Sequence, residues 1–264
     1  MKVAVLQMPV LAGEPARNLA TMYRLTSQAC EARPDVLLLP EMWRLGFYPQ
    51  PIHDYADPDG MESRRALARL AREHQVNIVG GTVAIAIGKQ VFNTCYVFDR
   101  DGTQLTTYHK THLFSLSDED KYFTAGEKFI TFTLDGVKCG VLVCYDIRFP
   151  EAARYLALQD IQVLFVPAEW PASRLIHWQT LLRARAIENQ IFVVACNACG
   201  TLPNGQPLAG NSAVIDPWGE ILASAGEEEQ ILQANLRLML RAQIRQTLDV
   251  YHDRRPELYG QKKS

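Results

Sequence analysis

The sequence lacks a charge surplus of either sign, because 27 lysine and arginine residues nearly balance 29 aspartate and glutamate residues. Proteins that bind nucleic acid or anionic membranes usually carry a basic excess, so we predict neither as a partner. No apolar run approaches the roughly 20 residues that a transmembrane helix needs. The strand-like run at 3–6 directly follows Met1 and Lys2 and is too short for a signal peptide.

Disulfide-framework spacing and interdomain linkers are also missing. The six cysteines lie mostly inside apolar runs, which favours reduced thiols and a cytoplasmic location. No repeat or low-complexity tract divides the chain, so we predict one domain over residues 1–264. The polar tail, about 249–264, is predicted to lie at the periphery, on the surface or on a partner subunit.

What the chain does contain is a buried strand that stops at a cysteine. Residues 137–143 form a short, β-branched apolar run, and Cys144 follows it. Pro150 suits the first position of the helix predicted from 151 to 159, since a helix start leaves that N–H unpaired. Cys144 is therefore predicted at a sharp strand-to-helix turn, where a nucleophile lies close to backbone N–H donors.

Strands and helices alternate along much of the chain, with two hairpin regions between them. This combination predicts an α/β protein with a mixed sheet, or two packed sheets with helices outside. A polar loop is predicted over 115–126. The main predicted strands are 3–7, 35–39, 77–87, 91–98, 163–166 and 191–195, and the main predicted helices are 16–32, 61–74 and 174–190.

Three polar residues follow the ends of buried strands, and these are Glu41, Lys110 and Cys144. A fourth, Glu119, lies in the loop after Lys110. Because strand ends converge at one edge of an α/β sheet, we expect them to share a site. A thiol that attacks a carbonyl, a carboxylate that moves its proton and an ammonium that stabilises the oxyanion together indicate amide hydrolysis.

Histidines are poor alternatives for the base. His109 and His112 flank Lys110, but alternation along a strand directs Lys110 to the side opposite His109. We therefore interpret both as packing or loop histidines and not as half of a cysteine–histidine pair.

Five motifs surround these residues. In order they are Leu38-Leu39-Pro40-Glu41-Met42; His109-Lys110-Thr111-His112-Leu113-Phe114; Cys144-Tyr145-Asp146-Ile147-Arg148-Phe149-Pro150-Glu151; Ala184-Arg185-Ala186-Ile187-Glu188-Asn189-Gln190; and Gly210-Asn211-Ser212 with Asp216-Pro217-Trp218-Gly219. Together they resemble the nitrilase superfamily of carbon–nitrogen hydrolases over nearly the whole chain.

The resemblance implies a four-layer α-β-β-α sandwich and a Glu41–Lys110–Cys144 triad that works through a thioester. It implies that the Tyr145 backbone N–H helps to bind the oxyanion. A second glutamate of the family, which positions the lysine and the substrate amide, matches Glu119 by its spacing, with Glu127 as the alternative. No cofactor and no metal are implied. The usual family dimer joins through the helices that flank the site.

Within this superfamily, Cys144-Tyr145-Asp146 resembles the amidase branches, because true nitrilases tend to carry Cys-Trp-Glu. Residues 167–171, followed by Arg174, resemble ω-amidases, which hydrolyse 2-oxoglutaramate or 2-oxosuccinamate. Arg174 is the candidate for the substrate carboxylate, with Arg44 as a weaker one. The candidate pocket residues are Glu169, Trp170, Phe114, Phe47 and Tyr48.

Two alternatives stay open at this point. N-carbamoyl amino acids or aliphatic amides suit the same machinery. Cys196 and Cys199 have the C-x-x-C spacing of thiol redox and zinc proteins, although no second pair completes a four-cysteine site.

Overall fold

The computed structural model describes residues 1–47 and 50–259. Its strands are β1 (Lys2–Gln7), β2 (Val36–Leu38), β3 (Asp57–Pro58), β4 (Asn77–Val79), β5 (Val83–Ile87), β6 (Gln90–Phe98), β7 (Gln104–His109), β8 (Thr131–Leu134), β9 (Val137–Val141), β10 (Val163–Ala168), β11 (Phe192–Asn197), β12 (Ala213–Ile215), β13 (Ile221–Ser224) and β14 (Gln230–Asn235). Its α-helices are α1 (Pro15–Cys30), α2 (Met61–His74), α3 (Glu119–Tyr122), α4 (Pro150–Leu158), α5 (Leu175–Asn189), α6 (Met239–Thr247) and α7 (Pro256–Tyr259). No helix of these two ranges is both long enough and apolar enough to cross a bilayer.

The strands form two mixed sheets. One has the order β14-β1-β2-β4-β6-β5-β3, with β7 paired to β6, and the other has the order β13-β12-β11-β10-β9-β8. Parallel pairing joins β1 to β2 to β4 in the first sheet and β9 to β10 to β11 in the second. The carboxyl ends of these central strands therefore meet at one edge of each sheet.

Side-chain alternation along the strands builds the layers. In β1, Val3 and Val5 belong to the hydrophobic core between the sheets, whereas Leu6 packs with α1 and α2. In β10, Phe165 belongs to the same central core and Leu164 packs with α4 and α5. The resulting order is helices, sheet, sheet, helices, which confirms the α-β-β-α sandwich.

The single strand predicted over 77–87 is wrong, because the chain forms β4 and β5 with a break between them. Gly81 adopts φ +57°, and a Cβ there would lie 2.0 Å from the carbonyl oxygen of Pro40. The N–H of Thr82 donates to that Pro40 oxygen at 3.1 Å, and its hydroxyl accepts the N–H of Met42 at 2.9 Å. The break thus anchors the loop that follows β2.

The loop predicted over 115–126 is partly helical, since a 3₁₀ turn at Ser115–Ser117 precedes α3. Gly126 closes the segment, and its N–H donates to the carbonyl of Lys110 at 2.8 Å. A Cβ at Gly126 would lie 2.1 Å from the carbonyl oxygen of His109. A four-residue helix shows no apolar periodicity, which is why the sequence did not indicate it.

The C-terminal tail contacts the last residue of α5. The Tyr251 hydroxyl donates to the carbonyl of Asn189 at 2.7 Å. Residues 260–264, the last part of the predicted tail, lie outside the described residues.

Candidate active site

Glu41 lies three residues beyond the end of β2 and has no exposed surface. Its Oε1 accepts hydrogen bonds from Lys110 Nζ at 2.9 Å and Asn93 Nδ2 at 2.8 Å, and its Oε2 accepts the N–H of Glu169 at 2.9 Å. Burial raises the pKa of Glu41, although Lys110 opposes the shift. This carboxylate is therefore more basic than an exposed glutamate.

Lys110 directly follows β7, and its side chain is buried between two carboxylates. Its Nζ donates to Glu41 at 2.9 Å and to Glu119 Oε2 at 2.8 Å. Burial alone would lower the pKa of Lys110, but the charges of Glu119 and Glu41 raise it well above its ordinary value. The side chain is thus a fixed ammonium in a place without bulk water.

Glu119 opens α3 and is 2% exposed. Besides holding Lys110, its Oε2 accepts the N–H of Phe114 at 2.7 Å, which fixes the carboxylate plane. Glu127 is exposed and does not line the cavity. Of the two glutamates, the structure places only Glu119 against the lysine.

Cys144 opens a 3₁₀ turn, Cys144–Arg148, beyond the end of β9, and α4 begins at Pro150 as predicted. Its φ of +45° is uncommon for a residue with a side chain, and such backbone strain concentrates at functional sites. The Tyr145 N–H lies in the first turn of this helix, where backbone N–H groups have no intrahelical acceptor. The geometry therefore leaves a donor beside the sulfur.

Asp146 holds this turn in place. Its buried carboxylate accepts hydrogen bonds from the Tyr108 hydroxyl at 2.8 Å and the Val143 N–H at 2.8 Å. It also accepts from the Thr111 hydroxyl at 3.0 Å, and from the N–H and Nδ1 of His112 at 2.9 and 2.8 Å. The network ties the loop after β7 to the cysteine turn, and it accounts for His112 as a loop histidine.

The surroundings of Cys144 favour the neutral thiol over the thiolate. Burial raises its pKa well above the ordinary value, the charge of Glu41 raises it further, and Lys110 opposes the shift. The Glu41 carboxylate is the acidic group that acts on this thiol most strongly. Because the nucleophilic form of cysteine is the thiolate, an attack by this sulfur would need a base, and the Glu41 carboxylate is the nearby group that could take the proton.

Asn93 is a site residue that the sequence analysis missed. It lies buried in the middle of β6, and its Nδ2 donates to Glu41 at 2.8 Å and to Glu119 at 3.1 Å. The backbone carbonyl of Asn93 accepts the backbone N–H of Lys110 at 2.9 Å. The available signal was an amide side chain in the interior of a largely apolar strand.

A cavity of about 230 Å³ opens onto Glu41, Lys110 and Cys144. It is smaller than the roughly 300–1,000 Å³ of pockets for drug-sized ligands, so it suits a small substrate. The rings of Phe114 and Tyr145 pack at 4.9 Å on one wall. Among the predicted wall residues, Phe47, Phe114 and Trp170 line it, while Tyr48 lies outside the described residues.

Two arginines line the same cavity, Arg174 as predicted and Arg148, which the sequence analysis did not assign. Neither arginine pairs with a carboxylate of the described residues, and each guanidinium lies over an aromatic ring instead. The distance from the guanidinium carbon to the ring centroid is 4.6 Å for Arg148 over Trp170 and 5.1 Å for Arg174 over Phe114. Burial and the nearby charge of Arg174 lower the pKa of Arg148. Arg44 instead pairs with Glu62 and does not reach this cavity.

Glu169 follows β10 and also lines the cavity. Its side chain is buried, and neither carboxyl oxygen has a hydrogen-bond partner among the described residues. Its backbone N–H donates to Glu41 Oε2 at 2.9 Å. Glu169 therefore adds a third carboxyl group to the Lys110 cluster.

Cys196 and Cys199 do not form a redox or zinc site of the usual kind. Both are buried, and the Cys196 thiol donates to the carbonyl of Leu6 at 3.3 Å. Burial raises the pKa of Cys199 to about 12. Thiol redox chemistry and zinc binding both need a thiolate, and burial of this kind disfavours the thiolate.

Together these groups provide each part of a thiol-dependent amide hydrolysis. Cys144 provides a thiol, Glu41 a buried carboxylate, and Lys110 and the Tyr145 N–H provide hydrogen-bond donors of the kind that bind an oxyanion. Nothing in this chemistry requires the thiol to be ionised before the substrate binds.

Comparisons with known proteins agree with this geometry. The carbon–nitrogen hydrolase family profile matches residues 2–246. A 2-oxoglutaramate amidase of Bacillus subtilis (strain 168) is 43% identical over 258 residues, which cover 97% of this chain and 98% of that protein. The omega-amidase NIT2 of Mus musculus is 32% identical over 98% of this chain and 96% of its own.

A similar solved structure is XC1258 from Xanthomonas campestris, a CN-hydrolase superfamily protein with an arsenic adduct in its active site. It superposes with a TM-score of 0.91 at 28% identity, over 97% of each chain.

Proposed function

The chain belongs to the carbon–nitrogen hydrolase family, and from this premise we propose that it is an ω-amidase that hydrolyses 2-oxoglutaramate or 2-oxosuccinamate. The products are ammonia and the corresponding 2-oxo dicarboxylate. The observation that carries the proposal is the buried cluster of Glu41, Lys110 and Cys144 in one cavity with two arginines. The relative named 2-oxoglutaramate amidase supports the substrate.

In the first half-reaction the Cys144 sulfur attacks the amide carbon while the thiol proton moves to Glu41. The tetrahedral oxyanion is held by Lys110 Nζ and the Tyr145 N–H, and each such donor lowers the barrier by roughly 3–4 kcal/mol. Glu41 then returns the proton to the nitrogen, ammonia leaves, and a thioester remains on the sulfur.

In the second half-reaction Glu41 takes a proton from water, and the water attacks the thioester carbon. The same donors hold the second oxyanion, and the sulfur leaves with the proton from Glu41. Glu119 keeps Lys110 in place in both steps and presents an acceptor to the departing amide nitrogen.

The distal carboxylate of the substrate is assigned to Arg174, with Arg148 beside it. A guanidinium binds a carboxylate by two parallel hydrogen bonds, and such charged bonds are worth about 1.5–3 kcal/mol. Both groups line the cavity, and each already stacks on an aromatic ring that limits its freedom. Trp170 and Phe114 therefore act as platforms for the arginines as well as walls.

We propose further that the protein is a cytoplasmic, single-domain homodimer. The six unpaired cysteines, all among the described residues, support a reducing compartment. The shared core between the two sheets supports one domain. Large apolar side chains exposed on and beside α4 and α5 support a subunit contact there, as in Tyr155, Leu158 and Ile187.

The test of the substrate is ammonia release from 2-oxoglutaramate, 2-oxosuccinamate, N-carbamoyl amino acids and propionamide under identical conditions. We expect the highest kcat/KM for one of the two oxo-acid amides. Turnover of the carbamoyl compounds alone would contradict the substrate assignment and leave the family membership intact.

A further inference from the structure

Glu169 is a buried acid that the proposed mechanism does not use. It is 7% exposed, and both of its carboxyl oxygens lack a hydrogen-bond partner among the described residues. Leaving such a group unpaired is costly, and most buried polar atoms in proteins are bonded. Because Glu169 lines the cavity, a molecule bound there can supply the missing hydrogen-bond partner.

The charge of the surroundings indicates the form in which Glu169 meets that ligand. Glu41 and Glu119 already share the single ammonium of Lys110, and Glu169 forms no ion pair within the described residues. A third negative charge there would therefore have no ion-pair partner among the described residues. Burial, and then the charge of Glu41, raises the pKa of Glu169 well above its ordinary range.

The backbone of Glu169 links the Glu41 carboxylate to Trp170, the residue that contacts both arginines. Its own N–H donates to Glu41 at 2.9 Å, beside the thiol. The next residue, Trp170, has the guanidinium of Arg148 on its ring and donates its indole N–H to the carbonyl of Arg174 at 2.9 Å. In 2-oxoglutaramate the 2-oxo group likewise lies between the amide and the carboxylate.

We propose that Glu169 is a specificity residue, a protonated acid that donates a hydrogen bond to the 2-oxo oxygen of the substrate. This inference deepens the proposed function and rests on it. A protonated carboxyl has one O–H donor, and a ketone oxygen offers only acceptor sites. An ionised Glu169 would instead repel that oxygen.

The experiment compares two substrates that differ only at this oxygen, 2-oxoglutaramate and glutaramate, whose chain has a methylene at that position. The measured quantity is the ratio of their kcat/KM values in the wild type, in Glu169→Leu and in Glu169→Gln. Leu fills the space without a donor, while Gln keeps an N–H donor at nearly the same place. Thermal melting of each variant checks that it is folded.

We expect the wild type to prefer 2-oxoglutaramate, and Glu169→Leu to lose about ten-fold or more of that preference. Glu169→Gln should keep most of it. A preference that survives in Glu169→Leu, or that is lost equally in Glu169→Gln, overturns the proposal. If Glu169 had a purely structural role, its replacement would lower the kcat/KM values of both substrates together and leave their ratio unchanged.

A pH profile gives a second readout. The charged and titratable groups around Glu169 are Glu41, Lys110, Glu119 and Cys144, with Arg148 and Arg174 in the same cavity. Since only the protonated form donates, the wild-type preference for the 2-oxo substrate should fall as the pH rises through the raised pKa. In Glu169→Gln the preference should not change with pH, and an unchanged fall there would contradict the assignment.

A failure of the proposed function would be detected by the substrate range of the wild-type enzyme, without any variant. If folded wild-type enzyme hydrolyses propionamide but neither oxo-acid amide, the substrate class is wrong and the role of Glu169 is rejected with it. If the wild type prefers 2-oxoglutaramate and Glu169→Leu keeps the preference, only the role of Glu169 is rejected.

Discussion

Two buried carboxyl groups beside Cys144 have opposite surroundings. Asp146, two residues along the same turn, accepts five hydrogen bonds, from Tyr108, Thr111, Val143 and twice from His112. Glu169, on the neighbouring strand end, accepts none from the described residues. One side of the sulfur is thus a completed network, and the other is open to a ligand.

The difference separates structure from recognition. A completed buried network stabilises one backbone conformation, here a strained turn with φ +45° at the nucleophile. A buried polar group that lacks a hydrogen-bond partner within the protein can instead bind a ligand. Substitutions on the Asp146 side should therefore lower stability, while those on the cavity side should change kinetics and selectivity.

Cys144→Ala removes the sulfur atom that lies between the Asp146 network and the cavity. We expect this substitution to have the largest effect on activity. Amidase activity should fall by at least roughly 10⁴-fold, because no other group can form the thioester. Melting temperature should change little, since a small apolar residue fits the turn. The measurement is ammonia release with thermal melting, and retained activity would rule out the mechanism.

Lys110→Met removes from the cavity the one lysine that is buried among the residues that the structure describes. We expect a loss of roughly 10³-fold in kcat, because an oxyanion donor and the partner of two carboxylates are removed together, while substrate binding stays measurable. A variant with near wild-type kcat would contradict the role of Lys110.

The same variant has a pH signature in stability. Without the ammonium, the buried Glu41 carboxyl loses the charge that opposes its raised pKa, so it binds its proton more tightly in the folded state than in the unfolded state. The free energy of unfolding should then fall as the pH rises above about 4.3, the ordinary carboxyl pKa. The wild type, measured by the same urea titrations, should lose less over this range.

Arg174→Ala sharpens the comparison at the far end of the cavity. We expect the KM for oxo-acid amides to rise roughly 10- to 100-fold, because a charged hydrogen bond to the carboxylate is lost. The KM for propionamide, which has no carboxylate, should rise far less. Equal increases for both substrates would remove the assigned role, and Arg44→Ala, outside the cavity, is the matched control.

Asp146→Asn and Glu169→Gln should have the smallest effects on activity. The two variants should differ most clearly in the free energy of unfolding. Asp146→Asn puts an amide donor where five donors converge, so we expect a loss of about 2–4 kcal/mol in the free energy of unfolding. Glu169→Gln replaces one neutral group by another and should cost less than about 1 kcal/mol. Urea denaturation of both variants checks this, and equal losses would erase the contrast.

Much of the fold followed from local patterns. The helix predicted over 61–74 has those bounds in the structure, and the strand, Cys144 and Pro150 succession was predicted in order. The break between β4 and β5 was not, because it is set by a contact between Gly81 and Pro40, far apart in sequence. Short polar α3 likewise depends on tertiary contacts.

The site divides in the same way. Glu41, Lys110, Cys144 and Glu119 follow strand ends or begin a helix, and each was named from the sequence. Asn93 and Arg148 were missed, because their importance comes from what they face across the fold: two carboxylates for Asn93 and the Trp170 ring for Arg148. The unpaired state of Glu169 is also visible only in three dimensions.

The most direct test of the account is a crystal structure of Cys144→Ala with 2-oxoglutaramate bound. We expect the amide carbonyl oxygen within hydrogen-bond distance of Lys110 Nζ, the carboxylate at Arg174 and Arg148, and the Asp146 network without a substrate contact. A carboxylate bound elsewhere, or an amide beyond the reach of Lys110, would contradict it.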